Sequence, residues 1–132
     1  MSVVLDTNTL ISAIVWDGSI SEKMLTEFIK NKTKIYISLQ ILAEFQKILK
    51  REFKYDDEQI LNITGQVLAF SILIEPTIKL NVVEDDPDDN MFIECALTAK
   101  AKYIITMDEH LLKIEEYENI KIITPRIARA MF

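Results

Sequence analysis

This chain predicts an α/β architecture, with a central parallel sheet of four to five short strands flanked by helices on both sides. Short aliphatic runs alternate with stretches whose apolar residues recur at helical spacing, the order produced when parallel strands are joined by right-handed helical crossovers. Only two glycines and three prolines interrupt the 132 residues, too few for a turn-rich all-β design. With 49% of the residues hydrophobic, the chain can build the core of one domain of this length.

The first strand is Val3-Val4-Leu5, which runs into Asp6 and Asn8 before Leu10, Ile11 and Ile14 mark the apolar face of a helix. Trp16-Asp17-Gly18 breaks that helix, and Ser19 with Glu22 has the form of a capping box. Met24, Leu25, Phe28 and Ile29 carry the next helix to about Asn31. Ile35-Tyr36-Ile37 is a second strand, and Ser38 then caps a helix to about Arg51 whose core face is Ile41, Leu42, Phe45, Ile48 and Leu49. Asp56 and Gln59 suggest another capping box, ahead of an amphipathic helix through Ile60, Ile63, Val67 and Phe70. Two apolar pieces around Pro76, Ile72-Leu73-Ile74 and Val82-Val83, compete for the third strand, and the pattern does not choose between them.

After the acidic run Glu84 to Asp89, Phe92, Ile93, Ala96 and Leu97 face the core of a helix to about Lys100. Tyr103-Ile104-Ile105-Thr106 is a strand ending at Met107-Asp108, followed by a short helix through Leu111, Leu112 and Ile114. Ile120-Lys121-Ile122-Ile123 is the last strand, and Thr124-Pro125 opens a terminal helix with proline in its first position.

The apolar runs are far shorter than a bilayer span, and no charged-then-apolar leader precedes the first strand, so a soluble cytoplasmic protein with no membrane partner is expected. A single cysteine, Cys95, excludes an internal disulfide and a multi-cysteine zinc site; between Phe92 and Ala96 it reads as a packing residue. The single histidine, His110, cannot build a zinc cluster alone and has no serine or cysteine partner in sequence that suggests triad hydrolysis. A net charge of −6 argues against nucleic-acid binding through bulk positive charge. It leaves a nuclease open, because carboxylates clustered to hold divalent cations also make a chain acidic.

Acids recur at Asp6, Glu44, Asp89 and Asp108, and each has an ordinary structural explanation. Asp6 or Asn8 can cap the first helix, Asp108 the short helix after the fourth strand, and Asp86-Pro87-Asp88-Asp89 fits an N-cap, a first-position proline and an acid near the helix start. Glu44 lies inside a helix, about 40° from Ile48 and about 60° from Ile41 on the wheel, so it borders the apolar stripe. A carboxylate there is either exposed at the stripe edge or needs a partner, which a cation would supply.

Together the acids say more. Asp6 and Asp108 follow strands that should be parallel and so reach one edge of the sheet, where α/β proteins collect their ligand sites. The helix opened by Asp89 begins over that edge only if a strand enters from below, a role open to Val82-Val83. Four converging carboxylates would repel unless divalent cations sat among them, and an oxygen-only set suits Mg²⁺ or Mn²⁺ over zinc. One or two such ions support phosphodiester hydrolysis by acidifying water and stabilising the leaving oxygen. Asn8 would orient a ligand or water, and Thr106 would hold a carboxylate from behind.

At these residues the chain resembles the PIN-domain ribonucleases, which include VapC-type toxins of prokaryotic toxin–antitoxin modules. Asp6-Thr7-Asn8 with Leu10-Ile11 is similar to the opening aspartate motif, Glu44 to the second acid, Asp89 before its apolar helix to the third, and Ile105-Thr106-Met107-Asp108 to the fourth. Asp86-Pro87-Asp88-Asp89-Asn90 and the Thr124-Pro125 close resemble a branch described as PIN-family toxins. The resemblance runs over the whole chain. It implies a single PIN-like nuclease domain, residues 1–132, that cuts single-stranded RNA with Mg²⁺ or Mn²⁺ held by Asp6, Glu44, Asp89 and Asp108. It also implies a homodimer and a protein antitoxin. Three aspartates crowd the third position, which makes Asp86 and Asp88 further candidate ligands.

RNA contacts from Lys47, Lys50, Arg51 and Lys54, or from Arg126 and Arg129, compete with the reading of those residues as solvated helix faces. Two rivals remain: a catalytically silent PIN-like module that binds RNA or protein, and a receiver-type domain using Asp6 as a phosphoryl acceptor. The receiver is disfavoured because the first strand supplies one acid where a receiver has an additional acidic pair.

Overall fold

Val3 and Val4 point to opposite faces of β1 (Ser2–Leu5), and neither exposes any surface. The sheet around them is therefore covered on both sides, which is why its central strands read as unbroken aliphatic runs. The structure is a computed structural model that describes residues 1–131. After β1 come α1 (Thr7–Val15), α2 (Ile20–Lys30), β2 (Lys34–Ser38), α3 (Leu39–Arg51), α4 (Asp57–Phe70) and β3 (Ser71–Ile74). A 3₁₀ turn at Pro87–Asp89 then leads into α5 (Asn90–Ala99), followed by β4 (Tyr103–Ile105), α6 (Glu109–Leu112), β5 (Glu116–Tyr117), β6 (Ile120–Ile123) and α7 (Pro125–Met131).

The strand order is β3-β2-β1-β4-β6-β5. The first five are mutually parallel, as predicted, and the two-residue β5 adds an antiparallel edge to β6. Register places Leu5 opposite Ile105, and Ile105 opposite Ile123, so β1, β4 and β6 end level with one another. Helix α5 packs across β1, β2, β3 and β4, while α1 packs on α2 and α3, and α2 on α7. Cys95 is buried on α5, and burial pushes its thiol up to about 12, which suits a packing residue. Among the described residues no helix is long and apolar enough to cross a membrane.

Most helix starts follow local chemistry. Asp6 caps α1 through the Thr9 amide (2.9 Å), Ser38 caps α3 through Ile41 (3.2 Å), and Asp56 and Gln59 form a reciprocal capping box on α4. At α2 the box is incomplete. Ser19 accepts from Glu22 N (3.0 Å), but the Glu22 carboxylate accepts from Gly18 N (2.7 Å), one residue upstream of the cap. Gly18 sits at φ +80°, which brings its amide round to that carboxylate.

The third strand is Ile72-Leu73-Ile74, paired in parallel with β2. Val82-Val83 is not in the sheet. Both of its amides donate to Asn90 Oδ1 (2.8 and 2.9 Å), and the Leu80 amide donates to Glu94 Oε2 (2.8 Å). Residues 75–86 therefore form a strap in which the Leu80, Val82 and Val83 amides are satisfied by α5 side chains instead of a neighbouring strand. No additional strand is needed to bring α5 to the carboxyl edge. Strand β3 ends at that edge, and the strap carries the chain into α5.

Candidate active site

Because β1 and β4 are in register, Asp6 and Thr106 are the first residues past two neighbouring strand ends, and the Asp6 amide donates to Ile105 O (3.1 Å). The fully buried Thr106 hydroxyl donates to Asp6 Oδ2 (2.5 Å) and accepts from the Asp108 amide (2.9 Å). One hydroxyl thus fixes the first and fourth acids relative to each other. Both aspartates also have the predicted capping role: Asp6 Oδ1 takes the Thr9 amide and Asp108 Oδ1 the His110 amide (2.8 Å). Capping and site-building are compatible here, because each cap holds its carboxylate at the sheet edge.

A cavity of about 170 Å³ at this edge is lined by Asp6, Thr7, Asn8, Glu44, Asp86, Asp88, Asp89 and Asp108, with Ile48, Met91 and Phe92. All four acids singled out in the sequence reach it, as do Asn8 and both extra aspartates. Glu44 arrives from α3, half-buried at the border of the apolar stripe as its wheel position implies. Asp88 is exposed at the rim, whereas Asp86 is half-buried and Asp89 is only 8% exposed.

Asp89 carries the strongest electrostatic signal. Burial, a hydrogen bond shared with Asp108, and the charges of Asp108, Asp86 and Asp6 together push its carboxyl up to about 8. Its Oδ2 is buried and has no hydrogen-bond partner. Asp6 is also raised, chiefly by burial and in part by the charge of Asp108, against the hydrogen bonds from Thr106 and Thr9. Among the described residues, no lysine or arginine forms an ion pair with Asp6, Glu44, Asp86, Asp89 or Asp108. Buried acids with an orphaned oxygen and no cationic side chain fit a divalent cation.

The tightest grouping was not legible in the sequence. Asp86, Asp89, Asp108 and His110 each offer one ligand atom, all within 4.8 Å of one another, and Asp6 and Glu44 line the cavity outside that group. His110 Nδ1 lies 3.5 Å from Asp108 Oδ1 and 3.9 Å from Asp86 Oδ2. Its only sequence signal is its position two residues after Asp108, at the start of a helix.

The basic residues divide. Lys50 pairs with Asp57 (3.3 Å) and Arg51 lies 3.6 Å from Glu52, both pairs exposed, so those two largely serve local surface contacts. Lys47 lines a larger cavity of about 650 Å³ that shares Glu44, Asp88 and Met91 with the acidic one. Arg126 and Arg129 line a groove with Ile20, and Arg126 also lines an adjoining apolar cavity with Ser12, Met107 and Pro125.

Comparison with known proteins bears on this geometry. A family model described as the PIN domain matches residues 2–110, which span β1 to α6 and every acid lining the cavity. An uncharacterized protein of Methanocaldococcus jannaschii, MJ1680, is 35% identical over 120 residues, covering 88% of this chain and 76% of the relative. The fold is similar to that in the crystal structure of VapBC2 from Rickettsia felis bound to a promoter DNA fragment. That likeness has a TM-score of 0.67 at 20% identity, over 94% of this chain and 98% of that one. With the family model running from the first strand to the helix capped by Asp108, and a relative at this identity along most of its length, the chain belongs to the PIN domain family.

Proposed function

We propose that this chain is a Mg²⁺- or Mn²⁺-dependent endoribonuclease that hydrolyses phosphodiester bonds of single-stranded RNA, working as one domain over residues 1–132. The observation that carries this reading is the buried Asp89, with an unpartnered oxygen, beside Asp108 and Asp6 in a cavity whose acids, among the described residues, form no ion pair with lysine or arginine. Asp6, Glu44, Asp89 and Asp108 hold one or two cations, with Asp86 in support and Asp88 at the mouth of the cavity. A divalent cation at this place supplies Lewis acidity for water and screens the charge that builds on the phosphate.

The chain itself supplies orientation. Thr106 locks Asp6 and Asp108 through one hydroxyl, and the α1 cap fixes the Asp6 rotamer. Asn8, exposed at the cavity, orients a phosphate or water. Lys47, lining the cavity that shares Glu44 and Asp88 with the acidic one, and Arg126, lining a cavity with Met107 next to Asp108, meet flanking phosphates, with Lys50 and Arg51 contributing less because each already has an acidic neighbour.

The likeness to a VapBC2 structure favours a toxin role with a protein antitoxin as partner, and a cytoplasmic location follows from an RNA substrate. A homodimer is favoured by edge strand β3, where Ile72 and Leu73 are 43% and 47% exposed, an uncovered apolar edge that a second copy would bury. Sedimentation at high concentration should give a dimer; monomer alone would contradict that assembly. For the activity, mixed-sequence single-stranded RNA should be cut in Mn²⁺ and left intact in EDTA. RNA left whole by excess enzyme in Mn²⁺ would overturn the nuclease reading.

A further inference from the structure

We propose that His110 Nδ1 is a ligand of the cation at this site, making its coordination mixed oxygen and nitrogen and giving it a preference for Mn²⁺ over Mg²⁺; this rests on the metal-dependent reading above. None of the four acidic positions includes this residue.

The geometry has three parts. The Asp108 carboxylate caps α6 through the His110 amide (2.8 Å), and side chains in a first helical turn lean back toward the cap, so the ring is directed at the carboxylates. His110 Nδ1 then lies 3.5 Å from Asp108 Oδ1 and 3.9 Å from Asp86 Oδ2, too long for an N–H···O hydrogen bond to either. Around a six-coordinate ion with bonds of about 2.1 Å, neighbouring ligands lie about 3 Å apart and opposite ones about 4 Å, so these separations suit shared ligation. Finally, Asp89 belongs to the same group, and its Oδ2 is buried without a hydrogen-bond partner, an observation independent of His110 that suits a cation.

An ordinary reading of His110 is a half-exposed ring near two acids. That reading leaves the unpartnered Asp89 oxygen unexplained, whereas an ion drawing in the four ligand atoms, which lie within 4.8 Å of one another, would account for the whole group. A neutral imidazole is a poor match for Mg²⁺, which favours oxygen and sheds water reluctantly, and a better one for Mn²⁺.

The test needs no RNA. His110 is the only histidine in the chain, so electron spin-echo spectra of Mn²⁺ bound to tag-free protein report on this one ring. The expected result is nitrogen-14 modulation, replaced by a nitrogen-15 pattern after histidine labelling and absent in His110→Ala. Mn²⁺ affinity should fall by at least about tenfold in His110→Ala, with a smaller change for Mg²⁺. His110→Asp should restore binding with the preference shifted toward Mg²⁺. Mn²⁺ that binds, is lost in Asp89→Asn, and shows no nitrogen coupling would overturn the role of His110 while leaving the nuclease reading standing. Absence of any Mn²⁺ binding would overturn both.

Discussion

Asp89 is held in a state that costs the folded protein stability. Its carboxyl is raised from 3.8 to about 8 by burial and by the neighbouring Asp108, Asp86 and Asp6. Between those two values the folded chain binds more protons than the unfolded one, so stability of the cation-free protein declines as pH rises across that window. Thermal melts in EDTA should therefore show Tm falling from roughly pH 4 to pH 8, and saturating Mn²⁺ should flatten the slope by compensating the charge. A pH-independent Tm in EDTA would contradict this electrostatic account. Asp89→Asn removes the charge, and should raise the cation-free Tm at pH 8 by a few degrees, or about 1 kcal/mol, while abolishing ion binding. Asp6→Asn should also fold, since asparagine caps a helix as well as aspartate does and its carbonyl can still accept a hydrogen bond.

At the level of elements, the strap over residues 75–86 depends on two side chains of α5. Asn90 accepts from the Val82 and Val83 amides and donates to Pro87 O (2.9 Å). Asn90→Ala leaves the Val82 and Val83 amides without their acceptor, with an expected loss of about 2–4 kcal/mol in urea unfolding and faster exchange of those two amides. Unchanged exchange would mean that the Asn90 bonds do not hold the strap in place.

The same segment explains what the sequence could not resolve. Strands β1, β2, β4 and β6 were legible because buried parallel strands are written as aliphatic runs. At β3 that signal is inverted: Ile72 and Leu73 stand on an exposed edge, whereas Val83, outside the sheet, is 2% exposed. Burial and strand pairing had come apart, and only the hydrogen-bonding partners decide. Strand β5, two residues long, is too short to carry a periodic pattern.

Over the whole molecule, the four acids were legible as a group because neighbouring parallel strands deliver their carboxyl ends to one edge, and the wheel position of Glu44 turned it toward the same cavity. His110 was not, since a lone histidine has no spacing to interpret until α6 is placed beside the acidic loop. Among the basic residues the Lys50–Asp57 pair followed the same limit, because it joins the end of α3 to the start of α4, whereas Arg51 and Glu52 are neighbours in sequence. On a cleavage-silenced Asp6→Asn background, Arg126→Glu should weaken single-stranded RNA binding several-fold and reduce its salt dependence. Lys50→Glu, starting from an exposed pair with Asp57, should do much less, as fluorescence anisotropy with labelled RNA would show.

The most direct measurement places three reactions side by side on one mixed-sequence single-stranded RNA: the protein with Mn²⁺, the protein with EDTA, and Asp6→Asn with Mn²⁺. Cutting in the first, none in the second, and a loss of at least about a hundredfold in a folded Asp6→Asn variant is the predicted result. An Asp6→Asn protein that cuts at the full rate, or cutting that persists in EDTA, would contradict a cation site built on these acids.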